Sequence, residues 1–274
     1  MSASRVLHAI AARRPPLLLS KLRMLLHYRA FTRKPVEAVR YLLLDTELDN
    51  FTYEIGNLDE LAAFLAAGLG VERAAARSYV DELQGDEVLR RELTERLRGR
   101  FGERARVAYG RRLGWYAAVR IRKPRIAVQT GTHHGLGSAV LLTALARNAA
   151  EGAEGVLLDL DVREDTGWLV PERLEPYRER HVGGSRELLP RALEGKQVDF
   201  FVHDSDHAYA HELFEWEIVF PHAAPRAVLI SDAAHSSTAF ADFFARQGLE
   251  TSLFLERPLH HFYPGAGIGL VLAP

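Results

Sequence analysis

Arg125-Ile126-Ala127-Val128-Gln129-Thr130-Gly131-Thr132-His133-His134-Gly135-Leu136-Gly137-Ser138 is the stretch on which the reading of this chain turns. A short apolar run over 126–128 enters three glycines and leaves as a helical pattern over 138–147. That is a strand, a tight turn and a helix. Glycines there let the backbone turn sharply and let a bulky ligand approach without a Cβ in the way. Their spacing is G-x-x-x-G-x-G, not the G-x-G-x-x-G of dinucleotide enzymes.

Downstream the same alternation repeats. Apolar runs at 156–160, 198–202 and 228–230 are each followed by helical patterns, at 171–179 and 187–193, at 212–220 and at 238–246. Two closing runs, 251–255 and 268–272, have only a Pro/Gly-bearing loop between them. The pattern predicts an α/β fold: a doubly wound, mostly parallel, seven-stranded Rossmann-like sheet ending in an antiparallel hairpin. In such sheets ligands sit outside the strands' carboxyl ends, where the strand order reverses. Upstream the chain reads as helices, at 17–26, 36–44, 61–69 (with Asn57 as N-cap), 71–83 and 86–97. We expect residues 1–105 to be a helical extension serving as lid or oligomer contact, and 106–274 to be the ligand-binding domain. Phe51, Tyr53, Trp115 and Tyr116 are candidates to line an acceptor pocket, with core packing the alternative for each.

The chemistry-bearing residues fall at the predicted strand ends. Asp159 and Asp161 close the second run, where an acid can accept both ribose hydroxyls of an adenosine ligand. Position favours Asp161, with Asp159 the fallback for the same cofactor-binding role, and whichever of the two is not used is read as a solvated strand-end carboxylate. His203-Asp204-Ser205-Asp206-His207 follows the run at 198–202, and Ser231-Asp232-Ala233-Ala234-His235 follows the next. Asp204, His207, Asp232 and His235 are thus expected at one crevice.

These blocks, with Gly167-Trp168-Leu169-Val170-Pro171-Glu172, Ser185-Arg186-Glu187-Leu188-Leu189-Pro190 and the His-Asp-Ser-x-His-x-Tyr run into Glu215-x-Glu217 and Pro221-His222, stand in a recognisable order. Over residues 111–273 the chain resembles class I S-adenosylmethionine-dependent methyltransferases of the bacterial group related to cephalosporin-biosynthesis and macrolide-sugar O-methyltransferases. The resemblance implies that the turn Gln129, Thr130, Gly131, Thr132, His133, Gly135 and Ser138 cradles the methionine part of S-adenosylmethionine. It implies that Asp161 holds the ribose and that Gly184 and Ser185 lie beside the adenine, with Asp204, Ser205 and His207 completing the binding set. It also implies a small-molecule acceptor, with oxygen as the accepting atom. Three positions depart from the family pattern. Gln129 stands where an acid is common, Gly184 replaces an aspartate, and Asp232 lacks the neighbouring metal-binding side chain of metal-using relatives.

Methyl transfer from a sulfonium needs in-line alignment and a deprotonated acceptor. A divalent ion such as Mg²⁺ can lower the acceptor's pKa, but it wants several oxygen ligands, and Asp204 with Asp232 supplies an incomplete set. An imidazole base is the alternative, His207 first and His235 second. A hydrogen bond capping the next helix is the competing role for His207. His133 and His134 read as loop residues, and His260 and His261 as hairpin-loop residues facing solvent or the substrate entrance.

Composition bounds the rest. In 274 residues with 47% hydrophobic content and a net charge of −1, no global field favours nucleic acid. The lack of cysteine removes thiol catalysis and zinc–thiolate sites. No apolar run reaches the roughly 18 residues of a spanning helix, and no signal-peptide pattern opens the sequence, so a soluble cytoplasmic protein is expected. Residues 1–34 carry eight basic side chains and no acid. Packing on the domain or on a second subunit, giving a homodimer through the N-terminal helices, is preferred there to membrane contact. A nicotinamide dehydrogenase of the short-chain class needs a Tyr with Lys four residues on, which no tyrosine here has. The other rival is a non-catalytic S-adenosylmethionine-binding partner or regulator.

Overall fold

A computed structural model describes residues 15–44, 53–103, 105–232 and 234–274. Phe51, Ala233 and residues 1–14 of the basic segment lie outside the described residues. The helices are α1 (Pro15–His27), α2 (Ala30–Arg33), α3 (Pro35–Leu44), α4 (Leu58–Leu69), α5 (Arg73–Gln84), α6 (Glu87–Phe101) and α7 (Arg112–Arg122). Then come β1 (Ile126–Thr130), α8 (Leu136–Ala150), β2 (Val156–Asp161), β3 (Arg178–Val182), α9 (Ser185–Leu193), β4 (Val198–His203), α10 (Tyr209–Val219), β5 (Ala223–Ser231), α11 (Ala239–Arg246), β6 (Ser252–Leu255) and β7 (Gly267–Leu272).

The strands form one seven-stranded sheet in the order β3-β2-β1-β4-β5-β7-β6. β1 to β5 pair in parallel, and β7 inserts antiparallel between β5 and β6. This is the Rossmann-like methyltransferase fold, and its order reverses between β1 and β4 as expected. Among the described residues no helix is long and apolar enough to cross a membrane.

Three readings need correction or refinement. The 171–179 helix is a short 3-10 turn, Glu172–Tyr177, running directly into β3. β3 is an edge strand, Arg-Glu-Arg-His-Val, with no fully buried residue. Charge on an exposed edge guards against unwanted pairing and leaves no apolar alternation to read. Asn57 is the N-cap of α4 by position, its carbonyl accepting from Glu60 N and Leu61 N, but its side chain makes no capping hydrogen bond and its amide donates instead to Leu255 O (2.9 Å) and to Glu60. Finally, α7 was not anticipated, because Arg112 to Arg120 are buried on every face and no amphipathic stripe marks them.

The chain divides into two compact units that interleave along the sequence. One comprises Met1–Gly56, Arg90–Gly110 and Arg257–Gly265; the other comprises Asn57–Leu89, Arg111–Glu256 and Ala266–Pro274 and holds the sheet. In the sheet unit Trp216 packs edge-on to Phe201, Phe240 and Phe244 with ring centroids 5.1–5.3 Å apart, anchoring α10 and α11 on β4. In the first unit the β6–β7 loop meets α1–α3. Lys34 Nζ donates to the carbonyls of His261 and Tyr263, and Tyr41 packs at a tilt against Phe262 with ring centroids 4.4 Å apart. His261 is therefore buried, not solvent-facing, while His260 is exposed.

Candidate active site

Backbone hydrogen bonds continue beyond the strand ends and fix the loops that matter. Gly131 N donates to Leu160 O, Asp204 N to Thr130 O, Asp232 N to His203 O and Gly183 N to Asp161 O, all at 2.8–3.0 Å. Gly131, Asp161, Gly183, Asp204 and Asp232 thus lie along one carboxyl edge of the sheet. Gly131 has φ +89°, and a Cβ there would fall 2.0 Å from Asp204 O. Gly135, at φ +93°, admits Gly167 Cα within 2.7 Å of where its Cβ would be. Glycine is what lets the β1 turn touch both neighbouring loops. The 167–169 segment ties down the turn from the other side: Gly167 N bonds His133 O, Leu169 N bonds His134 O, and Trp168 Nε1 donates to His134 Nδ1 at 3.2 Å.

Several of the expected cofactor residues brace this turn from inside. Gln129 is fully buried, accepting from Ser138 Oγ (3.2 Å) and donating to Gly131 O (3.0 Å). Thr132 Oγ1 donates to Asp159 Oδ1 at 2.6 Å, and Thr130 Oγ1 to Glu215 Oε2 at 2.6 Å. Asp159 is not a solvated strand-end group. It has no exposed side-chain surface and pairs with Arg178 Nε at 2.8 Å. Burial pushes its pKa up, against the pull of Arg178. Asp161 stands at the strand's end, half-buried, and accepts from His133 N (2.8 Å) and Arg163 N (3.0 Å). Gly184 caps α9 beside buried Ser185, with nothing within 4 Å of where a Cβ would stand.

The β4 and β5 ends bring Asp204, His207 and Asp232 together, with one ligand atom from each within 4.8 Å of the others. Asp204 and Asp232 lie close enough for their ionisation to be linked. Burial and the charge of Asp232 hold Asp204 well above the usual carboxylate range. Burial would raise Asp232 as well, but the charge and hydrogen bonds of Arg111 win and lower it. Together the two aspartates favour holding one proton, on Asp204. His207 is lowered, first by desolvation, so it is neutral near pH 7 and able to accept a proton. His235 is lowered by desolvation and then by Arg111, with Nδ1 3.3 Å from Gly267 O.

Four residues absent from the sequence-based set shape this edge. Arg111 Nε donates to Asp232 Oδ1 at 2.6 Å and its Nη2 to Oδ2, while Nη1 and the backbone N–H reach Glu256 at 3.3 and 3.0 Å. Glu215, fully buried on α10, accepts from Thr130, His203 Nδ1 (2.8 Å), Ser205 Oγ (2.9 Å) and His211 Nε2 (2.9 Å). Burial alone would raise its pKa, but His203 and His211 hold it far below the ordinary range. Glu212, also buried, accepts from Ser231 Oγ at 2.5 Å. One signal did exist for the glutamates: 212, 215, 216 and 219 fall on one helical face, so two acids occupy the inward stripe of Trp216 and Val219. Nothing comparable singles out Arg111 or Glu256.

Trp115 and Tyr116 are fully buried and Tyr53 nearly so, which places them in the cores of their units.

Residues 128–233 match a family model described as a methyltransferase domain. Among solved structures the chain is similar to the O-methyltransferase from Bacillus cereus in complex with SAH (16% identity, TM-score 0.53, covering 73% of this chain and 97% of that one). It is also similar to the Streptomyces achromogenes O-methyltransferase involved in tomaymycin synthesis, in complex with SAM (19%, TM-score 0.50, 69% and 90%). At these identities the likeness is one of fold. No curated protein matches the chain.

Proposed function

We propose that this protein is an S-adenosylmethionine-dependent methyltransferase that methylates an oxygen of a small molecule. The observation carrying this reading is the meeting of three loops at the strand-order reversal: the glycine turn of β1, Asp161 at the end of β2, and the Asp204–His207–Asp232 cluster beyond β4 and β5. The two solved O-methyltransferases whose fold it shares hold SAH or SAM.

When bound, the cofactor supplies an electrophilic methyl group. The turn from Gln129 to Ser138 would hold its methionine part, Asp161 its ribose hydroxyls, and Gly184 and Ser185 would flank the adenine. Asp161 already holds two backbone N–H groups, so it is pre-positioned to accept further donors. Neutral His207 accepts the acceptor's proton, and His235 stands behind it as the second imidazole. The cluster does not fit a free metal site, since both oxygens of Asp232 are already held by Arg111. No step is therefore assigned to a metal.

Calorimetry with S-adenosylmethionine tests the reading: one site per chain is expected, weakened at least about tenfold by Asp161→Ala. No heat of binding in the folded wild-type chain overturns it. Release of S-adenosylhomocysteine over a panel of hydroxylated small molecules separates the enzyme from a non-catalytic binder. We further propose that two copies meet through α1 and α3, where Leu19, Leu26 and Val36 are more than half exposed.

A further inference from the structure

We propose that Arg111 is the resident cation of this site, occupying the face of Asp232 that a divalent ion would need and so making the Asp204–His207–Asp232 cluster metal-free by construction. This deepens the methyltransferase reading by saying how the acceptor end is charged.

The donor set alone would suit an ion: two carboxylates and an imidazole, with His207 Nε2 3.9 Å from Asp204 Oδ1 and all three ligand atoms within 4.8 Å. The guanidinium changes that. It takes both oxygens of Asp232 in a two-pronged pair, and its third nitrogen turns to Glu256. Glu256 is itself locked. Its Oε2 accepts the Arg111 backbone N–H, and its Oε1 accepts Ala266 N at 3.0 Å. The Asp232 and Glu256 side chains are wholly buried and that of Arg111 is 11% exposed, so water does little to loosen the fork. Unlike a lysine, an arginine cannot leave by losing its proton. An arriving ion would have to expel a buried cation and strand Glu256. Arg112 adds a second positive charge felt by both aspartates. What faces an acceptor is then a neutralised pair, with His207 as the group free to take a proton.

Mn²⁺ titration of the full chain, followed by electron paramagnetic resonance, decides the matter without any methyl-transfer assay. The wild-type chain is expected to bind no stoichiometric Mn²⁺. Arg111→Gln, which keeps a polar side chain but removes the charge, should bind one Mn²⁺ at least about tenfold more tightly than wild type. Adding Asp232→Asn should abolish the gain. One Mn²⁺ per wild-type chain, lost in Asp204→Asn, overturns the proposal. So does a folded Arg111→Gln chain that gains nothing. Should that variant not fold by circular dichroism, Arg111→Lys takes its place. A single ammonium leaves one Asp232 oxygen free, so at the same pH this variant should bind Mn²⁺ more tightly than wild type; a folded Arg111→Lys chain that gains nothing overturns the proposal. Because the readout is metal, failure here leaves S-adenosylmethionine binding to be judged separately.

Discussion

Glu215 shows how a single buried charge organises this site. Its four donors come from β1, β4, the loop after β4 and its own helix, so the carboxylate staples the glycine turn to the Asp204 loop. Glu215→Gln keeps the shape but removes the charge opposite two histidines. We expect a loss of about 3 kcal/mol in urea unfolding, as for breaking a buried pair. The His211 partner gives a pH signature. Its pKa is raised, chiefly by the Glu215 hydrogen bond. Its contribution to stability is therefore complete below the unfolded value of about 6.5 and fades as pH rises through the folded value. The stability gap between wild type and His211→Gln should be widest near pH 6 and shrink toward pH 9; an unchanging gap refutes the pairing. At Gly131 the argument is steric. Gly131→Ala puts a Cβ against Asp204 O at positive φ and should cost roughly 3 kcal/mol or more. Gly152→Ala, with φ +86° but nothing within 4 Å, should cost only about 1–2 kcal/mol by the same denaturation measurement.

At the scale of elements, β2 and β3 are joined by more than their ladder. Arg178 opens β3 and neutralises Asp159 in the interior of β2, both side chains nearly without exposure. Arg178→Gln alone should destabilise by about 3–5 kcal/mol, because it strands a buried carboxylate, and Asp159→Asn in the same chain should recover much of that loss. A double-mutant cycle with no coupling would remove the pair from this role. The pairing also explains what the sequence could and could not reveal. β1, β2, β4, β5 and β7 announce themselves as short apolar runs between turns, because their side chains point into packed layers, and the edge strand β6 is legible because it is apolar although only Phe254 in it is buried. β3 carries charge on an exposed edge, and α7 is buried all round, so neither leaves a period to count. Strand-end positions let Asp161, Asp204 and Asp232 be singled out, since parallel topology puts every carboxyl end on one side. Arg111 joins them only through folding: it is 121 residues from Asp232, and no local pattern marks that partnership.

At the scale of the whole molecule, one exposed face and one buried cluster invite measurement. Leu19→Glu with Leu26→Glu, placed on exposed positions of α1, should lower the sedimentation coefficient from that of a dimer to that of a monomer while leaving the circular dichroism spectrum unchanged. A monomeric wild-type chain would end that reading. In the first unit, Tyr41→Ala removes the ring that packs edge-on to His261 and at a tilt against Phe262. Chymotrypsin should then cut at Phe262 faster than in wild type, with the rest of the digestion pattern unaltered.

The bond from Lys34 to the carbonyl of His261 spans 227 positions of chain. On a ribosome adding about 5–20 residues per second, the first helices wait roughly 10–45 s for the loop that completes their core. Throughout that interval their apolar faces are uncovered. These helices are thus made long before the loop that finishes their core, and a nascent-chain chaperone has most to do for them in between.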